Sequence, residues 1–81
     1  MNADEARRLV LDALASVAPE TDTASIDPDR PFRDQADLDS IDFLNFILAL
    51  QRLLGIEIPD DQCLRFTTLD GCMAALCEPA Q

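Results

Sequence analysis

The chain contains no lysine, histidine, tryptophan or tyrosine, and all six of its basic residues are arginine. Without His, Lys or Tyr it lacks most of the side chains that act as general bases near neutral pH, which argues against self-contained catalysis. Positive charge is also scarce: six Arg face 16 acidic residues, for a formal net charge of -10. That balance excludes electrostatic attraction to nucleic acid or to an anionic membrane. Cysteine is limited to Cys63, Cys72 and Cys77, an odd number with no C-x-x-C pair, so neither a disulfide framework nor a zinc site is indicated. They are expected as reduced thiols at helical packing positions. The first residues, Met1-Asn2-Ala3-Asp4-Glu5, are acidic and lead into no signal-peptide pattern, so a cytoplasmic protein is expected. The longest mainly apolar stretch, Ile41 to Ile58, contains Asp42, Asn45, Gln51, Arg52 and Glu57, which argues against a membrane span.

What remains is a chain of 81 residues that is 48% hydrophobic, too apolar for a disordered acidic tail and too short for two domains. One domain over 1–81 is expected. Ala6, Leu9, Val10, Ala13, Leu14 and Val17 recur at the spacing of one buried helical stripe, which predicts a first helix over 3–18 ended by Pro19. A long connection follows to Asp39, with Pro19, Pro28 and Pro31 as breakers and Ile26, Phe32 and Leu38 as apolar residues able to pin it to the helices. Asp27-Pro28-Asp29 has the start of a calcium loop. Phe32 and Leu38, however, stand where an EF-hand requires Gly and Glu, so no metal site is assigned.

A second helix should run from Asp39-Ser40 to about Leu54, capped by Asp39 with Asp42 at the capping-box position and stopped by Gly55. Ile56-Glu57-Ile58-Pro59 then reads as an extended link with two apolar anchors, and Asp60-Asp61 as the start of a short helical turn through Cys63, Leu64 and Phe66. Thr67-Thr68-Leu69-Asp70 caps a last helix carrying Met73, Leu76 and Cys77, weakened by Gly71. The fold class is therefore all-α: three main helices plus one short helix, with a long first loop.

The second helix has more apolar surface than one core contact needs. At about 100° per residue, Phe43, Phe46, Ile47, Leu50 and Leu54 share one face, while Ile41, Leu44 and Leu48 form a separate stripe. Either the helix is central with both stripes buried, or the second stripe lies at the surface as a contact site. Asn45 and Arg52 border that stripe, which favours the surface, and the surrounding aspartates call for a partner that is basic with an apolar centre. Ser40 stands at one end of the stripe. Its two readings are a helix cap and a hydroxyl modified by another enzyme; a hydrolase would need a base that this sequence does not supply.

Asp39-Ser40-Ile41 resembles the Asp-Ser-Leu/Ile/Met motif of acyl and peptidyl carrier proteins. The run from Leu54 through Gly55-Ile56-Glu57-Ile58-Pro59 to Asp60-Asp61 is similar to the segment that follows the second helix in that family, and Thr67-Thr68-Leu69 to the approach to its last helix. The resemblance covers nearly the whole chain. It implies a four-helix carrier bundle, not an enzyme, in which Ser40 receives 4'-phosphopantetheine from coenzyme A and cargo is held as a thioester on the arm. It assigns Asp39, Ile41, Leu44 and Leu48 to partner binding. The partners implied are a phosphopantetheinyl transferase, an acyl- or aminoacyl-loading ligase and downstream synthase or transferase enzymes, serving a free-standing monomeric carrier of acyl or aminoacyl cargo. An unmodified carrier-like adaptor is the alternative. Two departures stand out. Asp37 occupies a position three before the serine where the family often has Gly, and the second helix carries Asn45, Gln51 and Arg52 where fatty-acid carriers have glutamates. The second departure implies a dedicated carrier of a specialised pathway.

Overall fold

The computed structural model describes residues 2–77. It contains four α-helices, α1 (Ala3–Val17), α2 (Phe32–Ala36), α3 (Ser40–Leu54) and α4 (Leu69–Cys77), with 3-10 segments at Thr23–Ser25 and Asp60–Phe66. No strand occurs among the described residues. The Asn2 side chain starts α1 by accepting the Glu5 N–H at 2.8 Å. Of its predicted stripe, Ala6, Val10, Ala13 and Leu14 are buried, and Val17 packs at the edge of the core. The helix ends at Val17, with Ala18 as the C-terminal cap. α1 packs mainly against α3 and α4.

The long connection differs from the expectation of a plain loop, because it contains the 3-10 turn at Thr23–Ser25 and α2. A helix of five residues is too short to show a periodicity. Pro31, read as a breaker, holds φ -59° at the N-cap of α2, where a proline ring costs no helical hydrogen bond. Ile26, Phe32 and Leu38 are buried as expected and anchor the connection. Gln35 holds it further: its side chain accepts the Asp27 N–H at 2.7 Å and donates to the Asp27 and Arg30 carbonyls, each at 2.9 Å. Two backbone bonds then tie the connection to the start of α4, from Phe32 N–H to Thr67 O at 2.8 Å and from Asp70 N–H to Pro28 O at 2.9 Å. These internal partners for several of the loop's backbone groups set its path. Asp27 lies 3.9 Å from Arg30 in an exposed ion pair.

α3 begins and ends as its sequence signals require. Gly55 adopts φ 67°, a left-handed conformation that favours glycine, and the Gly55 and Ile56 N–H groups both reach the Gln51 carbonyl, at 2.9 and 3.2 Å. The Gln51 side chain also accepts the Ile58 N–H at 2.8 Å, so this departure from an acidic helix ties down the link that follows. Of the two anchors expected in that link only Ile58 is buried; Ile56 is exposed, because an extended backbone points alternate residues to opposite sides. The short helix expected at Asp60 is a 3-10 segment, with Phe66 buried at its end.

In α4, Leu69 and Cys72 are buried, and Met73 and Leu76 pack partly buried against them. Cys77 faces solvent, unlike the packing position expected of it. The three cysteines are free thiols. Gly71, which propensity alone marks as a weakness, has a steric role: a Cβ there would collide with the Arg65 carbonyl oxygen and crowd the Thr68 hydroxyl, which accepts the Gly71 N–H at 2.9 Å. Gly71→Ala is therefore expected to destabilise the protein by about 1–3 kcal/mol in urea unfolding, despite the better helix propensity of Ala.

Burial pushes the Cys72 thiol from 9.0 up to about 12, and it lowers its exposure to zero. The fold thus favours the neutral thiol. Its contribution to stability is complete below pH 9.0 and is lost as the pH rises toward about 12, because the unfolded chain releases the proton first. The unfolding free energy from urea titrations is expected to fall across that window, by at most about 1.4 kcal/mol per pH unit from this group, and Cys72→Ala should lose that part of the slope.

Candidate functional site

The residues around Ser40 are set by three local devices. Asp37 takes the left-handed conformation, φ 53°, at the C-terminal cap of α2. This explains why glycine suits the position, and Asp is among the few other residues that tolerate it. Leu38 is buried and fixes the turn to the core. Asp39 then completes a full capping box: its Oδ1 accepts the Asp42 N–H at 2.8 Å, and the Asp39 N–H donates to Asp42 Oδ2 at 3.3 Å.

Cap duty thus falls to Asp39, one of the two readings available for Ser40. The Ser40 hydroxyl sits exposed at the first position of α3 and makes no hydrogen bond among the described residues. It opens into a cavity of about 160 Å³ lined by Arg33, Asp39, Ser40, Phe43, Leu64 and Thr67. No group in that lining can activate the hydroxyl as a nucleophile, since the one carboxylate present, on Asp39, is held in the capping box. The thiols stand outside the cavity lining. Cys63 is shifted upward by desolvation and by Asp60 and Asp61, and Cys72 by burial, so both are kept in the neutral, unreactive form.

The two stripes of α3 separate as drawn from the wheel. Phe46, Ile47 and Leu50 are buried, joined by Ala49, and Phe43 and Leu54 pack against them. Ile41, Leu44 and Leu48 are 69%, 56% and 47% exposed, bordered by exposed Asn45 and Arg52. Ser40 and this apolar strip therefore share one accessible side of α3.

Sequence reasoning placed Phe43 on the core face of α3 and missed three further members of the site: Arg33 on α2, and Leu64 and Thr67 around the second 3-10 segment. Leu64, 80% exposed, adds an apolar residue at the cavity mouth. An exposed Leu beside Cys63 and Phe66 carries no period that would mark it, so only its placement reveals it. Among the described residues no group of metal-binding side chains occurs, and no helix is long and apolar enough to cross a membrane.

Residues 8–76 match the family model described as "Phosphopantetheine attachment site". Curated relatives include the acyl carrier proteins of Rubrobacter xylanophilus, 33% identical over 60% of this chain and 60% of that protein, and of Thermobifida fusca, 38% identical over 65% and 71%. The acyl carrier protein of Myxococcus xanthus is 30% identical over 79% of this chain and 85% of its own length. No solved structure gives a significant match. An all-helical chain, an exposed serine at the start of a capped helix and a family match across most of its length converge on one conclusion: the protein belongs to the phosphopantetheine-binding acyl carrier protein family.

Proposed function

We propose that Ser40 is the attachment point of the covalent 4'-phosphopantetheine that carriers of this family bear, and that Ile41, Leu44 and Leu48 with Asp39 form the surface that partner enzymes read. The observation that carries this reading is the division of labour at the start of α3, where Asp39 takes the cap and leaves an exposed hydroxyl with no structural duty. The chain's residues suit the group: the serine is accessible, and a mainly apolar cavity adjoins it. When bound, the arm supplies a terminal thiol on which acyl cargo is held as a thioester. Ser40 contributes only its hydroxyl, so the base that removes the proton during loading comes from the phosphopantetheinyl transferase.

The carrier has no catalytic residue of its own. Its net charge of -10 draws in basic enzymes, and the apolar strip selects which of them stay bound. A loading ligase and downstream synthase or transferase enzymes are the partners this surface fits. With Asn45, Gln51 and Arg52 along α3, the carrier suits a dedicated lipid, polyketide or specialised-metabolite pathway in the cytoplasm. The test is intact-mass and peptide analysis of the protein isolated from its native host. One phosphopantetheine on the peptide that contains Ser40 is expected; protein found unmodified there, or modified elsewhere, overturns the assignment.

A further inference from the structure

We propose that the Arg33 guanidinium pairs with the phosphodiester on Ser40 and positions it, an inference that rests on Ser40 as the attachment point. Arg33 and Ser40 line the same cavity, and Arg33 is the single cation in that lining. A phosphodiester bonded to the Ser40 oxygen enters surroundings that oppose it. Asp37, Asp39 and Asp42 crowd the same turn, in a chain already at -10. The start of α3 offers only partial compensation, because the Asp42 N–H, a donor that an anion at a helix N-terminus would use, is taken by the Asp39 carboxylate.

Arg33 is free for this role. It is exposed and forms no ion pair or side-chain hydrogen bond among the described residues, whereas Arg30 already faces Asp27. Its backbone is held on both sides, by buried Phe32 and by the bonds of Gln35, so the side chain springs from a set position at the cavity rim. The guanidinium fork matches two phosphate oxygens, which a lone ammonium would not do as well. The interaction appears only once the arm is attached, so Arg33 is a positioning residue of the loaded carrier.

The experiment compares unloaded and fully loaded wild type, Arg33→Ala and Arg33→Glu, with loading verified by intact mass. The unloaded proteins are expected to melt within about 1 °C of one another, since Arg33 holds nothing before loading. The change in Tm on loading should be lower in Arg33→Glu than in wild type by about 2–4 °C at low salt, with Arg33→Ala between them and the difference shrinking at high salt. The Arg33 Nε–H resonance should also shift on loading of the wild type. Equal loading shifts in all three proteins with an unmoved Arg33 resonance would overturn the role of Arg33 alone. Absence of any mass gain at Ser40 would overturn the attachment assignment and this inference with it.

Discussion

Incubated with coenzyme A and a promiscuous phosphopantetheinyl transferase, the unloaded wild-type protein is expected to gain one arm and Ser40→Ala none, even on long exposure. The effect is all-or-none because a single oxygen forms the bond. It is also clean, since the structural cost of the substitution is close to zero. The N-cap of α3 is Asp39, the Ser40 hydroxyl makes no hydrogen bond among the described residues, and the side chain is exposed. Ala is a better helix former than Ser at such a position, so the melting transition should stay within about 0.5 kcal/mol of wild type. A folded but unloadable protein should fail in any partner-dependent activity. Full activity of Ser40→Ala, together with its loss in Leu44→Asp, would instead identify an unmodified adaptor working through the strip. Leu44 is exposed, so that second variant tests recognition with the fold intact.

Phe46→Ala is expected to leave the protein largely unfolded at room temperature in modest urea. Phe46 is fully buried, and its ring meets Phe32 edge-on at 5.2 Å and 67° and Phe43 at 6.1 Å. Truncating such a residue costs about 3–5 kcal/mol through lost transfer energy and an unfilled cavity. A domain of this size holds only about 4–12 kcal/mol in total. The loss should show as a collapse of the urea midpoint followed by far-UV circular dichroism. The consequence reaches the site, because the Phe32–Phe46 contact joins the helix of Arg33 to the helix of Ser40. A cost below about 1 kcal/mol would show that the two helices are held together by other means. Leu48→Ala, on the exposed stripe of the same helix, should change stability far less.

The contrast between Phe46 and Leu48 marks how far sequence reasoning reaches. The limits of α3 are written locally, in the Asp39 cap, the Asp42 partner and the Gly55 stop, and the structure repeats them because each depends on neighbours within four residues. The same short range made Ser40 stand out beside Asp39, and the 3.6-residue period separated two apolar stripes. Whether the second stripe, Ile41, Leu44 and Leu48, faces water or is buried like the first was left open by that period. It was decided when α1 and α4 closed over the core with Phe46 and Leu50 inside. The role of Gly71 was likewise invisible to propensity, since the Arg65 carbonyl that leaves no room for a side chain arrives through the preceding 3-10 turn.

The absence of His, Lys and Tyr, the acidic balance and the motif around Ser40 are properties of the chain itself. They argue against self-contained acid–base chemistry and single out Ser40 as the hydroxyl proposed to carry the arm. The cavity is a property of the fold alone. Its walls come from α2, the start of α3 and the second 3-10 segment, drawn together by the bonds from Phe32 to Thr67 and from Asp70 to Pro28. Those bonds join residues more than thirty positions apart in sequence. No local rule of spacing or capping spans that separation, so only tertiary closure could set Arg33, Leu64 and Thr67 around Ser40.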